Sequence, residues 1–138
     1  MQAYDSWEPA LNQLMQKFGA AEACWFSSVR KDGRAHLAPI WHVLHEGRIY
    51  VVTQRNSVRA ANIRHHAAVS LALADTSNAL IVEGTAQPTP AMREQLRPLF
   101  QEKYGWDIRT DPTYDDVIAV TPTKVIAWGN HGNGRWHL

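Results

Sequence analysis

The chain is short of the features that place a protein quickly, and each shortage excludes something. Its 138 residues contain one cysteine, Cys24, so no disulfide can close within the chain. With no leader-like start either, the composition predicts a reduced, cytoplasmic protein. No apolar run approaches the ~20 residues of a membrane-spanning helix, so no membrane association is expected. Neither sign of charge dominates: fourteen Lys and Arg face thirteen Asp and Glu, for a net charge of +1. The basic residues are scattered, which leaves no electrostatic footprint for nucleic acid and makes any anion site a local one.

Reactive groups are equally sparse. His42, His45, His65 and His66 have no zinc-type spacing with a cysteine or carboxylate, so no metal is expected. Cys24 lies in an apolar stretch and reads as a small core residue. Asp115-Asp116 reads as a solvated loop end. No serine has a nucleophile-elbow context, and the glycine-rich tail at 129–134 does not run from a strand into a helix as a dinucleotide fingerprint does. An enzyme with this inventory takes its chemistry from a cofactor, while the protein supplies position and electrostatics.

What the chain has in quantity is apolar surface, with 45% apolar residues and six tryptophans. The length fits a single domain, 1–138, able to bury about two-thirds of its unfolded surface. Asp5 and Ser6 can cap a first helix, with Pro9 in its first turn, Trp7, Leu11, Leu14 and Phe18 on one face and Gly19 as a stop. Strand patterns follow. Residues 23–30 run to a turn at Asp32-Gly33, and in 34–43 the residues Ala35, Leu37, Pro39, Trp41 and Val43 form the apolar, core-facing side. Pro39 cannot donate to a ladder and demands an edge, a bulge or a split in the sheet. A turn at 45–48 leads into a strand at 49–53, and Asn56-Ser57 caps a short helix from Val58 to about His65. At 67–74, Val69, Leu71 and Leu73 oppose a smooth face of Ala68, Ser70, Ala72 and Ala74. A strand at 79–87 is interrupted by Gly84. Thr89-Pro90 opens a helix with a kink or restart expected at Pro98, a loop covers 103–113, and two closing strands at 117–120 and 124–128 flank Thr121-Pro122. About seven strands and three helices give a mostly β chain with peripheral helices, as in an antiparallel barrel.

One segment has the makings of an anion site. Thr53-Gln54-Arg55-Asn56-Ser57-Val58-Arg59 leaves a strand and enters a helix, so helix-start N–H groups, the Ser57 hydroxyl and the guanidinium groups of Arg55 and Arg59 converge on one small volume that suits a phosphate.

These motifs together resemble a known family. Asp32-Gly33-Arg34-Ala35-His36, Pro39-Ile40-Trp41, Thr53 with Ser57-Val58-Arg59-Ala60-Ala61-Asn62-Ile63, Val69-Ser70-Leu71, Val82-Glu83-Gly84-Thr85-Ala86 and Thr121-Pro122-Thr123-Lys124-Val125 resemble, in order and spacing, the pyridoxamine 5'-phosphate oxidase-like FMN-binding split-barrel family. The resemblance covers most of the chain. It implies a six-stranded antiparallel split β-barrel that forms a homodimer, with two FMN sites at the interface and hydride transfer to or from a small-molecule substrate. Ser57 and Arg59 match the family's Ser-x-Lys phosphate grip with arginine in place of lysine. Thr53 matches the threonine ending the preceding strand, and Gln54, Arg55 and Val58 lie in the same cofactor-binding segment. Pro39, Ile40 and Trp41 match the strand beside the flavin ring. The aromatic lid, brought by the other subunit, would be Trp128 or Trp136 in preference to Trp106. His42, beside Trp41, is the side chain to test first as an acid. By the same reading Trp7 and Trp25 serve the helix and core, while Trp41, Trp128 and Trp136 line the dimer interface. The chain departs from pyridoxamine phosphate oxidases at Ala38, where they carry arginine, at Ala79, where they offer glutamine, and in its last residues, 134–138. Short barrels of this kind also use the deazaflavin F420, for which Arg55, Arg59 and Arg64 are the available cations, or haem, for which His36, His42 and His131 are available. A flavin- or haem-binding module without turnover is the non-enzymatic alternative.

Overall fold

The structure is a computed structural model that describes residue 4 and residues 6–130 and 132–138. Asp5, an expected cap, and His131, a candidate haem ligand, lie outside the described residues. In chain order the elements are α1 (Pro9–Ala20), β1 (Cys24–Val29), β2 (Ala35–Ile40), β3 (Val43–His45), β4 (Arg48–Thr53), α2 (Val58–His65), β5 (Ala68–Ala72), β6 (Ala79–Pro88), α3 (Arg93–Tyr104), β7 (Asp116–Trp128) and β8 (Gly134–His137). The strands form one antiparallel sheet in the order β2-β1-β5-β6-β7-β4-β3, with β8 added to β7. Six longer strands carry the sheet, and β3 and β8 are short additions to it.

The curl of this sheet follows from its connectivity. Its two edges, β2 and β3, are joined by Trp41 and His42 alone, and three Cα steps span at most about 11 Å. The edges must therefore lie close together, although no ladder joins them. Peptide groups at this split find partners on α3 instead. The His42 N–H donates to Tyr104 Oη at 2.9 Å, and that hydroxyl donates to the Glu22 carbonyl at 2.7 Å. Lys103 Nζ donates to the carbonyls of Gly19 and His42 at 2.8 and 2.7 Å.

Leu11, Leu14, Met15 and Phe18 of α1 fill the concave side of the sheet against Phe26, Val51, Leu71, Val82 and Val120. On the opposite face of β4 and β7, Leu96 and Phe100 of α3 pack on Tyr50, Val52, Val117 and Ala119. Both faces of these two strands are covered, which is why 49–52 and 117–120 are continuously apolar rather than alternating.

Several local expectations are corrected. Helix α1 begins after Glu8, with Pro9 as its first residue, and runs past Gly19 to Ala20. The turn after β1 holds three residues, since Arg30 N–H donates to the Arg34 carbonyl at 2.9 Å across Lys31-Asp32-Gly33, and Gly33 takes φ +92°. Thr89-Pro90 opens only a 3-10 turn over Pro90–Met92; α3 starts at Arg93, runs through Pro98 and includes Tyr104. The two expected closing strands are one, β7. The strand flanking it changes from β4, which pairs with 116–120, to β8, which pairs with 124–127, so Pro122 lies where that side has no ladder. Pro122 pairs with Gly84, whose missing side chain matters: a Cβ there would lie 2.4 Å from the Thr121 carbonyl oxygen.

The faces of β2 are the reverse of those expected. Cys24 and Phe26 of β1 point inward, and their partners Ile40 and Ala38 do too, while Leu37 is 61% exposed. Val43 is buried because it belongs to β3, beyond the break at Trp41-His42. The outward face carries an apolar row crossing five strands, Pro39–Trp25–Ala72–Ile81–Ile126. Trp25 is thus on the outside of the barrel, 43% exposed, and not in its core.

Candidate functional site

A cleft of about 630 Å³ opens beside the split. It is bounded by Pro39 and Ile40 at the end of β2, Trp41, Val52 and Thr53 at the end of β4, Arg59 on α2, and Trp106, Asp111 and Tyr114 from the segment after α3. Its size falls in the range of small-molecule sites. The aromatic wall is built outward from α3. Tyr104 stacks on Trp41 with centroids 4.3 Å apart and planes within 3°. Trp106 meets Phe100, Trp41 and Tyr114 edge-on at 5.8, 6.0 and 5.4 Å, arrangements that stabilise ring clusters beyond area burial. The Trp106 indole N–H donates to Asp111 Oδ2 at 2.6 Å.

Arg59 also lines the cleft and is 7% exposed. Its Nη2 donates to the carbonyls of Ala38 and Pro39 at 3.1 and 3.4 Å, and its Cζ stands 5.0 Å over the Phe26 ring. Nε is buried with no partner among the described residues. Burial pulls the Arg59 pKa below its ordinary value, yet arginine stays charged in proteins. A guanidinium so placed, facing carbonyls and no carboxylate, is a ready partner for an anion. Close by, Ser57 Oγ accepts the Ala60 N–H at 3.1 Å, capping α2, and lies 3.3 Å from Thr53 Oγ1. The two hydroxyls have two protons and only one mutual contact, so at least one can turn to a ligand.

A second, more open hollow of about 780 Å³ lies on the far side of Ser57. The turn residues Arg30, Lys31 and Arg34 face Asn56, Ser57 and Val58 across it. Arg34 is partly offset by Asp32 at 2.9 Å, and Arg30 Nη1 donates to the Ala35 carbonyl, which leaves the hollow cationic.

The expected site residues are thus divided. Pro39, Ile40, Trp41, Thr53 and Arg59 share the cleft, whereas Ser57 and Val58 line the second hollow. Gln54 and Arg55 line neither. The Gln54 carbonyl accepts the Ser57 N–H, and the Arg55 N–H donates to Asp115 Oδ1 at 3.0 Å. Arg64, expected as a spare cation, is held by Asp116 through two contacts of 2.8 and 3.0 Å, and Asp116 is 4% exposed rather than part of a solvated loop end.

His42 does not stand in the cleft. It is fully buried, with Nε2–H donating to the Phe18 carbonyl at 2.7 Å and Nδ1 unpartnered among the described residues. Burial, aided by the Lys103 charge, pushes its pKa down to about 4. It is a core imidazole, and the expectation that it meets substrate is corrected. His36, on the inner side of β2, is outside the cleft as well. Cys24 is buried as expected, its thiol pushed up to about 12. Trp136 is half-buried, donates to Glu8 and packs beside α1. Trp128 is exposed opposite Ala79. Neither lines this chain's cleft, and the tryptophan that does so besides Trp41 is Trp106. Sequence reasoning missed Asp111 and Tyr114; the aromatic density between Tyr104 and Tyr114 was the available signal.

The described helices include none long and apolar enough to cross a membrane. No curated protein matches the chain in sequence. Solved structures share its fold at low identity. General Stress Protein 26 from Bacillus anthracis is 18% identical, with a TM-score of 0.70 over 93% of this chain and 98% of that one. A protein described as an F420 reductase is 18% identical, with a TM-score of 0.67 over 80% and 94%. A heme binding protein from Mycobacterium smegmatis is 12% identical, with a TM-score of 0.76 over 95% of this chain and 59% of that one. The sequence model of one family, described as pyridoxamine 5'-phosphate oxidase, matches residues 10–129. With the curled antiparallel sheet and the cleft at its split, that match assigns the chain to the pyridoxamine 5'-phosphate oxidase-like split-barrel family.

Proposed function

We propose that the chain is an FMN-dependent oxidoreductase, acting as a cytoplasmic homodimer on a small organic substrate. The observation that carries this reading is the buried Arg59 guanidinium, with an unpartnered Nε, in a cleft whose walls are otherwise apolar and aromatic except at Thr53 and Asp111. That combination fits a flat ring bearing an anionic tail. Arg59 and the Thr53 and Ser57 hydroxyls would hold the phosphate, and Pro39, Ile40 and Trp41 would lie along the ring. When bound, FMN supplies the hydride exchange; the chain anchors the phosphate, orients the ring and, through Trp41, Trp106 and Tyr114, limits water above it. The outward apolar row supports the dimer, because it leaves Trp25 43% exposed in a lone chain, and Trp128, outside that row, is 48% exposed. In such a dimer Trp128 is the better candidate for a lid from the second subunit, since Trp136 is bonded to Glu8.

The cationic hollow beside Ser57 favours a second reading, F420 in place of FMN, because Arg30, Lys31 and Arg34 suit a longer anionic tail. The absorbance spectrum of the purified protein separates the two. Bands at about 375 and 450 nm mark FMN, one band at about 420 nm the deazaflavin, and a Soret band haem. A colourless protein that takes up neither flavin on titration overturns both readings.

A further inference from the structure

We infer that the rim of the cleft, where Asp111 meets Trp41, Trp106 and Tyr114, binds the positively charged head of a small organic cation of the alkylammonium class. This rests on the flavin reading in one respect: the bound molecule would lie against the cofactor ring as its substrate. The cleft is bipolar. Arg59 provides positive charge, already turned toward the Ala38 and Pro39 carbonyls, and Asp111, lining the same cleft, provides negative charge.

Asp111 makes no ion pair among the described residues. Its Oδ2 accepts the Trp106 N–H, while Oδ1 has no donor from the described residues. Arg93 forms no ion pair with it among the described residues; its two Nη atoms donate to the Tyr114 and Ile108 carbonyls at 2.6 and 3.0 Å. Those bonds fix the segment that carries the carboxylate. One face of Trp41 is covered by Tyr104 at 4.3 Å and Trp106 stands at 72° to it, yet the residue remains 43% exposed. Tyr114, 36% exposed, stands against Trp106. A carboxylate with a free oxygen beside exposed aromatic rings attracts a cation through both charge and ring quadrupole, and gives a neutral molecule of the same shape neither.

The test uses choline and its neutral isostere 3,3-dimethylbutan-1-ol, titrated by saturation-transfer NMR into the protein with and without FMN. Choline should bind about tenfold more tightly than the alcohol. Asp111→Asn, which keeps an oxygen for the Trp106 N–H, should abolish most of that preference without changing the thermal midpoint. Trp41→Leu should weaken choline as well. Equal binding of the two probes, binding of neither, or a preference unchanged in the folded Asp111→Asn variant overturns the inference. Failure of FMN to bind while choline keeps its Asp111-dependent preference would sink the flavin reading and leave the cation site standing.

Discussion

The Arg59 guanidinium, carried by α2, donates to the carbonyl of Ala38 on β2 at 3.1 Å and stands over Phe26, the residue that pairs with Ala38 across the β1–β2 ladder. The resemblance to pyridoxamine phosphate oxidases places an arginine at position 38 itself. Here position 38 is alanine, and the cation beside its carbonyl is Arg59 from the neighbouring helix.

On the proposed reading Arg59 is the strongest single handle on cofactor retention. Arg59→Met should weaken FMN binding by roughly 1.5–3 kcal/mol, about ten- to a hundredfold in Kd, because a charge-assisted contact is removed. Arg59→Lys restores the charge and should recover most of the affinity. Quenching of flavin fluorescence on titration measures both. An unchanged Kd in a folded Arg59→Met protein would remove this residue from the site.

His42 makes stability depend on pH in a definite direction. Its pKa falls from 6.5 in the unfolded chain to about 4 in the folded one, so between those values the unfolded state binds more protons. Stability contributed by the neutral imidazole is complete above about pH 6.5 and is lost as pH falls toward 4, by up to about 3 kcal/mol. Urea unfolding at a series of pH values should show this slope, and His42→Gln should flatten it. A variant with the wild-type slope would show that the imidazole is not held neutral in the core. FMN affinity should be unaffected at pH 7 once the variant is folded.

Much of the fold was legible because local chemistry and tertiary position agree. Ser57 caps α2, Pro39 sits on an edge strand, and the Glu46-Gly47 turn takes positive φ at both residues as a tight hairpin requires. The faces of β2 were not legible, since alternation reports that one face is apolar and is silent on whether a core or a second protein surface covers it. Leu37 and Trp25 satisfy the pattern on the outside of the barrel. Thr121-Pro122 reads as a turn because the ladder's change of partner from β4 to β8 is invisible locally. The residues proposed to hold a phosphate, Thr53, Ser57 and Arg59, lie in one continuous stretch, but its division between the cleft and the second hollow is not legible locally. The aromatic half depends on α3 bringing Tyr104 and Trp106 to Trp41, contacts between segments far apart in sequence.

Arg64 separates a structural cation from a ligand-binding one. It meets the buried Asp116 carboxylate through two short contacts while remaining partly exposed itself. Arg64→Ala should cost about 2 kcal/mol by leaving that carboxylate unpaired, measured by denaturant unfolding. The double variant with Asp116→Asn should recover part of the loss, as expected of residues that act on each other. Neither change should alter the affinity of the folded protein for FMN or F420. A selective loss of F420 binding in Arg64→Ala would return this residue to the cofactor site.

The outward face of the sheet provides a test of assembly. The apolar row through Pro39, Trp25, Ala72, Ile81 and Ile126 lies beside a mixed one running Leu37–Ser27–Ser70–Glu83–Lys124, so the face has an apolar stripe and a polar flank, the anatomy of an interface. In a lone chain Leu37 is 61% exposed, and Leu37→Glu should then be nearly neutral, within about 0.5 kcal/mol. In a dimer built on this face the same change buries two unpaired carboxylates at the contact, a cost of several kcal/mol. Sedimentation velocity should accordingly find the wild type at twice the 15.6 kDa chain mass, and Leu37→Glu as a folded monomer. Because Pro39 belongs both to this row and to the cleft, separating the chains should also strip away any residue the second subunit lends to the flavin. FMN affinity should fall with the dimer, even though Leu37 itself touches no part of the cleft. A wild type that sediments as a single chain and still binds FMN would show that one barrel completes the site alone.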